Sequence, residues 1–114
     1  IAWRFQPQLI LASAGYDAHW DDPLASLALS VAGYAAIARA LKELAGELCD
    51  GRLVLTLEGG YHLDALAYSV LNTFAVLLGD EAWRLVDPLG PSPRSERPVD
   101  EIIARVKQVH GLRP

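Results

Sequence analysis

The sequence lacks the features that mark disulfide-rich, membrane-spanning or nucleic-acid-binding proteins. Its single cysteine, Cys49, excludes a disulfide framework and a cysteine-rich zinc site. No stretch approaches the roughly 18 consecutive apolar residues of a membrane-spanning helix. The net charge is -4 and the basic residues are scattered, so direct nucleic-acid binding is not expected. No signal peptide is evident, which makes the cytoplasm the expected compartment.

What the chain has in excess is apolar residues. They make up 52% of its 114 residues, against about 45–50% in a typical soluble domain. This length allows at most one small domain. The chain opens on Ile1-Ala2-Trp3, without Met and without a polar tail. We therefore expect it to be a fragment of a longer polypeptide with a buried parallel sheet.

Hydrophobic periodicity and capping residues predict alternating strands and helices. The expected elements are a strand over 9–14 that is buried on both faces, a loop over 17–28, a helix over 31–48 capped by Ser30, a strand over 53–57, a helix capped by Asp64 that ends at Gly79, and a short helix over 99–110. A crossover helix between two strands implies parallel pairing. The predicted fold class is therefore α/β with a parallel sheet.

Chemically capable side chains follow both predicted strands. In parallel α/β sheets, active sites lie just beyond the carboxyl ends of the strands. Asp17 follows the first strand and is either a metal ligand or catalytic carboxylate, or a turn residue. Tyr61 follows the second strand after two glycines. It could donate its hydroxyl proton to an oxyanion, or simply pack over the sheet edge.

Other interpretations of these segments are weaker. Gly59 and Gly60 could cradle a phosphate before the next helix, but Glu58 and Asp64 flank them with negative charge, and neither a Walker loop nor a GxGxxG fingerprint is present. Asp-x-His at residues 17–19 is a weak metal signal by itself.

The polar residues that follow Asp17 invite only modest interpretations. Asp21 and Asp22 are most simply turn residues before Pro23. His62 shows no evident partner, although it adjoins Tyr61.

Taken together, these motifs resemble the histone deacetylase superfamily. The resemblance is carried by Ser13-Ala14-Gly15-Tyr16-Asp17-Ala18-His19, Asp22-Pro23-Leu24, Gly33-Tyr34 and Leu57-Glu58-Gly59-Gly60-Tyr61. The chain is most similar to class II-like members, acetoin-utilisation proteins and acetylpolyamine amidohydrolases. The resemblance covers residues 3–79. It implies that residues 1–114 are the C-terminal segment of one deacetylase domain with a three-layer α/β/α arginase/deacetylase-like fold, and that residues 80–114 are an extension to which we assign no chemistry.

The resemblance also implies site roles. Family members hold one Zn²⁺ with two Asp and one His. Asp17 matches one of those aspartates, Tyr61 matches the transition-state tyrosine, and Gly59 and Gly60 match the lining of the substrate channel. The remaining zinc ligands, and the His-His pair that activates water, belong to motifs absent from this sequence. His19 therefore receives no metal role. His62 stands where the family usually has Asn, which leaves its function open.

Two hypotheses follow. The first is the C-terminal part of a zinc-dependent deacetylase, acting on acetylated lysine or a small acetylated amine and inactive as an isolated fragment. The second is a truncated, non-catalytic interaction module of the same fold, whose exposed sheet edge would favour a homo-oligomer or another partner. Arginase-like hydrolysis would need two metals and a denser set of Asp and His residues than this segment supplies.

Overall fold

A two-stranded parallel sheet organises the protein. The computed structural model describes residues 1–25, 27–80, 84–95 and 98–112. In chain order its elements are α1 (Ala2–Phe5), β1 (Ile10–Ala14), α2 (Val31–Cys49), β2 (Leu53–Leu57), α3 (Leu63–Leu78) and α4 (Asp100–Val109). The strands pair in register from Ile10 opposite Leu53 to Ala14 opposite Leu57. The predicted α/β class with parallel pairing across a crossover helix is confirmed; the short α1 was not predicted.

Helix α2 begins and ends where its capping residues predict. The Ser30 hydroxyl accepts the Gly33 N–H at 3.1 Å, and the Asp87 carboxylate accepts the Ala32 N–H at 3.0 Å. These bonds satisfy amides that have no partner inside the helix. Asp50 closes the helix in a left-handed conformation with φ 51°. A carboxylate from the C-terminal extension thus helps to fix the start of the crossover helix.

Helix α3 begins differently from the prediction. His62, not Asp64, is its N-cap, and the His62 Nδ1 accepts the Ala65 N–H at 3.2 Å. Asp64 lies in the first turn, where its negative charge is favourable beside the free amides. The predicted cap was wrong because an imidazole nitrogen can accept the same backbone hydrogen that a capping oxygen usually accepts. Gly79 ends the helix at φ 73°, as predicted.

The helices α2 and α3 pack on each other and lie against one face of the sheet. Alternate strand residues such as Ala14 and Leu55 line the clefts between sheet and helices. The opposite face carries Leu11 and Val54, which are 70% and 45% exposed. The prediction that the first strand is buried on both faces is therefore wrong for this chain, because no described element covers its outer face.

Small and polar side chains form the contact between the helices and the strand ends. The Tyr16 hydroxyl donates to Thr73 Oγ1 at 3.1 Å, and Thr73 Oγ1 donates to the Ser69 carbonyl at 2.8 Å. All three residues are buried. The broad apolar face predicted for α3 is only partly buried against the rest of the chain. Phe74, for example, is 61% exposed. The core is therefore tight near the carboxyl ends of the strands and open farther along α3.

The C-terminal extension returns to this core. The Asn72 side chain donates to the Val86 carbonyl at 2.8 Å and accepts the Val86 N–H at 3.2 Å. The predicted final helix is confirmed as α4, none of whose residues is buried. In the part of the chain that the structure describes, no helix is both long and apolar enough to cross a membrane.

Candidate functional site

The sheet ladder continues beyond both strands and joins their carboxyl ends. The Glu58 N–H donates to the Ala14 carbonyl at 3.1 Å, and the Tyr16 N–H donates to the Gly59 carbonyl at 2.8 Å. Each strand end is therefore held against the other for two further residues. The pairing places Asp17 beside Gly59. Gly59 in turn lies two residues before Tyr61 in the chain.

The carboxylate of Asp17 lies in a cradle made by two glycines. A methyl group added at Gly59 would lie 2.8 Å from both Cγ and Oδ2 of Asp17, and one added at Gly15 would lie 2.9 Å from Oδ1. These distances are well inside van der Waals contact. Only glycine at both positions leaves room for the Asp17 side chain, which is half-buried there.

Tyr61 stands at the same end of the sheet, with its side chain half-exposed and its backbone anchored. Gly60 adopts φ 139°, a conformation that favours glycine, and an added methyl there would lie 3.0 Å from Leu66 and 3.2 Å from Tyr16. The Tyr61 N–H donates to Asp22 Oδ2 at 2.8 Å. The two glycines thus make room for Asp17 and for the close approach of Tyr16; whether they also line a substrate channel stays a prediction.

Asp22 contacts the site although its position in the sequence indicated only a turn residue. Its Oδ1 accepts the Leu24 N–H at 2.9 Å, as expected of a turn residue, but its Oδ2 reaches across 39 positions to Tyr61. Asp22 is buried. Burial alone would raise the pKa of this carboxyl, but the N–H groups of Tyr61 and of its own turn outweigh burial and lower the pKa overall. It is therefore a carboxylate at neutral pH.

Two histidines flank this carboxylate. His19 is completely buried, and its Nδ1 accepts the Asp21 N–H at 3.2 Å. Burial lowers the pKa of His19, and the neighbouring His62 acts in the same direction, so its imidazole is neutral. His62 Nε2 lies 3.2 Å from Asp21 Oδ2. His62 therefore has two partners, Asp21 and the N-terminus of α3, which the sequence did not show.

A buried tyrosine, Tyr34, packs against the residue that precedes Asp17. Tyr34 packs on Tyr16 with ring centroids 5.0 Å apart. Burial raises the pKa of Tyr34 to about 12, and the negative charges of Asp17 and Asp22 act in the same direction. The backbone N–H groups of Ala18 and His19 act against this rise but do not cancel it, so the Tyr34 hydroxyl is protonated at neutral pH.

The described residues supply one candidate metal ligand rather than a complete site. Across residues 1–25, 27–80, 84–95 and 98–112, no group of three or more His, Cys, Asp and Glu side chains is placed to hold a metal ion. A catalytic zinc site usually has three protein ligands. The cradled carboxylate of Asp17 fits one of those positions, since it is an oxygen donor fixed at a strand end.

Comparison with known proteins gives consistent matches. The sequence profile of the histone deacetylase domain matches residues 1–77. Histone deacetylase 14, chloroplastic, of Arabidopsis thaliana is 45% identical over 97% of this chain and 27% of its own length. A probable deacetylase of Archaeoglobus fulgidus is 45% identical over 75% of this chain and 24% of its own length.

A human relative and a solved structure extend these matches. The polyamine deacetylase HDAC10 of Homo sapiens is 42% identical over 80% of this chain and 13% of its own length. A crystal structure of the HDA15 HD domain superimposes with a TM-score of 0.60 at 34% identity, covering 81% of this chain and 23% of that one. The chain thus spans about a quarter of the first relatives it matches.

The glycine cradle predicts a specific steric effect. Gly59→Ala should lower the free energy of unfolding by roughly 1–3 kcal/mol, because the new methyl group and the Asp17 carboxylate cannot both keep their places. Gly46→Ala is the matched control: apart from its chain neighbours and the backbone of its own helix, nothing lies within 4 Å of the added methyl group. It should stabilise α2 by up to about 1 kcal/mol. Urea unfolding followed by circular dichroism measures both; equal effects of the two substitutions would contradict the cradle.

Proposed function

Because this chain belongs to the histone deacetylase family, we propose that it forms the C-terminal part of a zinc-dependent deacetylase that hydrolyses acetyl-amine bonds. The substrate class is an acetylated lysine or a small acetylated amine. The names of the relatives, which include histone deacetylases and a polyamine deacetylase, support this class. The observation that carries the proposal is the pairing of the cradled Asp17 with an anchored Tyr61 at adjacent strand ends.

Asp17 is the proposed zinc ligand of this chain. Its carboxylate is a hard anionic donor of a kind that zinc accepts. Because residues 15 and 59 are glycines, the space that this carboxylate occupies stays open. The other ligands would come from parts of the polypeptide outside these 114 residues. When bound, zinc would supply Lewis acidity toward the acetyl carbonyl and lower the pKa of a water molecule.

Tyr61 is the proposed oxyanion donor. As the carbonyl carbon of the substrate becomes tetrahedral, negative charge develops on its oxygen, and the phenol hydroxyl donates a hydrogen bond to that oxygen. Its side chain is 53% exposed in this chain and so is free to face a substrate. Gly59 and Gly60 would line the channel and let the substrate pass close to the backbone.

The first experiment measures release of acetate by the full-length protein. Acetate release from an acetyl-lysine peptide or an acetylated polyamine should disappear on chelation and return with added zinc. Asp17→Asn should abolish both turnover and stoichiometric zinc, because the substitution removes an anionic ligand. Asp21→Asn is the matched control: this neighbouring carboxylate is exposed and should leave the zinc content unchanged.

Absence of turnover on both substrates would overturn the enzyme proposal. The chain would then be better described as a non-catalytic interaction module of the same fold. Zinc retained by Asp17→Asn would overturn the ligand assignment alone.

Tyr61→Phe tests the oxyanion donor. Removing one such donor typically lowers turnover by about 10²–10³-fold, and the zinc content should not change because the phenol is not a proposed ligand. Tyr68→Phe, on the neighbouring helix α3, is the matched control and should retain turnover. Unchanged turnover in Tyr61→Phe would rule out this role.

The 114-residue chain by itself should neither bind zinc tightly nor release acetate. One carboxylate falls short of the three protein ligands of a catalytic zinc site. Equilibrium dialysis against zinc, followed by elemental analysis, measures the binding. A stoichiometric zinc signal from this chain would refute the prediction.

A further inference from the structure

The anchoring of Tyr61 depends on one buried side chain from a distant loop. The Tyr61 side chain is half-exposed, so packing in this chain does little to fix its hydroxyl. The residue before it, Gly60, is intrinsically flexible and adopts φ 139°. The position of the phenol therefore depends on what holds the Tyr61 backbone.

Two contacts hold that backbone, one on each side. On the N-terminal side, Asp22 Oδ2 accepts the Tyr61 N–H at 2.8 Å. On the C-terminal side, His62 caps α3 through the Ala65 N–H at 3.2 Å. The cap fixes where the helix begins, whereas the Asp22 bond fixes the position of the backbone directly after Gly59 and Gly60. Among the described residues, the Asp22 bond is the contact that ties Tyr61 itself to the loop that also carries Asp17.

Asp22 can hold the Tyr61 backbone firmly because both of its carboxylate oxygens accept hydrogen bonds. Oδ1 accepts the N–H groups of Leu24 at 2.9 Å and Ala25 at 3.3 Å, which locks the carboxylate to its own turn. Oδ2 is then aimed at Tyr61. The side chain is 7% exposed, so water does not compete effectively for either oxygen. A hydrogen bond to an ionised acceptor is stronger than a neutral one.

We propose that Asp22 is a positioning residue for Tyr61: its carboxylate holds the Tyr61 backbone so that the phenol hydroxyl meets the oxyanion. This inference rests on the proposed function and adds a residue to its machinery. Its effect falls on turnover rather than on substrate affinity, because a preorganised donor acts where charge develops in the transition state.

Asp22→Asn in the full-length zinc enzyme is the informative substitution. An amide keeps one acceptor oxygen and gains two donors. In either orientation its NH₂ group therefore faces a backbone N–H, of Tyr61 or of Leu24. We expect kcat to fall by at least about tenfold, since small misplacements of catalytic groups are costly. KM should stay within about twofold if ground-state binding is untouched.

Zinc content and a matched control distinguish positioning from loss of the loop. Asp17 lies in the same loop, so stoichiometric zinc in Asp22→Asn shows that the loop keeps its fold. Asp21→Asn removes the same charge one residue away, from a side chain that contacts His62 rather than Tyr61. It should change kcat by less than about twofold, as expected of an exposed ion pair. Loss of zinc from Asp22→Asn would overturn the proposal in favour of a general structural role.

A double-mutant cycle separates this proposal from the proposed function. If Asp22 acts through the phenol, Asp22→Asn should lower kcat by less than about twofold once Tyr61 is already Phe, because coupled residues are not additive. An equal fold loss in both backgrounds would overturn the positioning role while leaving the deacetylase proposal standing. Absence of wild-type turnover would instead overturn the proposed function and this role with it. No effect of Tyr61→Phe would remove the oxyanion donor, and with it the role of Asp22, while leaving the deacetylase proposal standing.

Amide hydrogen exchange gives a readout independent of catalysis. The Tyr61 N–H should exchange at least about tenfold faster in Asp22→Asn than in the unmodified protein, while amides within α2 keep their protection. Unchanged exchange at Tyr61 would show that Asp22 does not hold this backbone, and would overturn the proposal whatever the kinetics.

Discussion

The hydrogen-bond ladder at the carboxyl ends of β1 and β2 is the constraint on which the rest of the site depends. Parallel strands bring their ends to one edge of a sheet, but the ladder here runs on through Glu58 and Tyr16 after the strands have ended. That extension places the Asp17 carboxylate where a methyl group added at Gly59 would clash with it. A shift in register between the strands would separate the carboxylate from its cradle and move Tyr61 with it. The geometry of the site is thus set by backbone pairing before any side chain contributes.

A second set of contacts joins the loop after β1 to the start of α3. Asp22 accepts the Tyr61 N–H, and Asp21 lies beside His62, so two consecutive carboxylates meet two consecutive residues of the other segment. The two contacts differ in how strongly they hold the two segments together. Asp22 is buried, so water competes poorly for its bond, whereas Asp21 is exposed and its pair with His62 is screened by solvent. The loop therefore acts as a support for the Tyr61 segment rather than as a simple connection.

The elements could be predicted from sequence because each has a local cause. The Ser30 cap, the Asp50 turn and the Gly79 terminus all act within a few residues, and all were predicted correctly. The capping role of His62 was missed because His is an unusual N-cap. The partnership of Asp22 with Tyr61 could not be predicted, because it spans 39 positions and an Asp before Pro already has a sufficient local explanation as a turn residue. The predicted burial of the outer sheet face was also wrong, because no described element packs against Leu11 and Val54.

The distribution of burial shows which parts of the site this chain builds alone. His19 and Asp22 are buried although the outer sheet face and much of α3 are open. Their surroundings come from the loop, α2 and the C-terminal extension, through contacts such as the Trp20 indole to the Gly90 carbonyl at 3.0 Å. The arrangement around Asp17 and Tyr61 is therefore supported by contacts within this chain, although the outer sheet face is open.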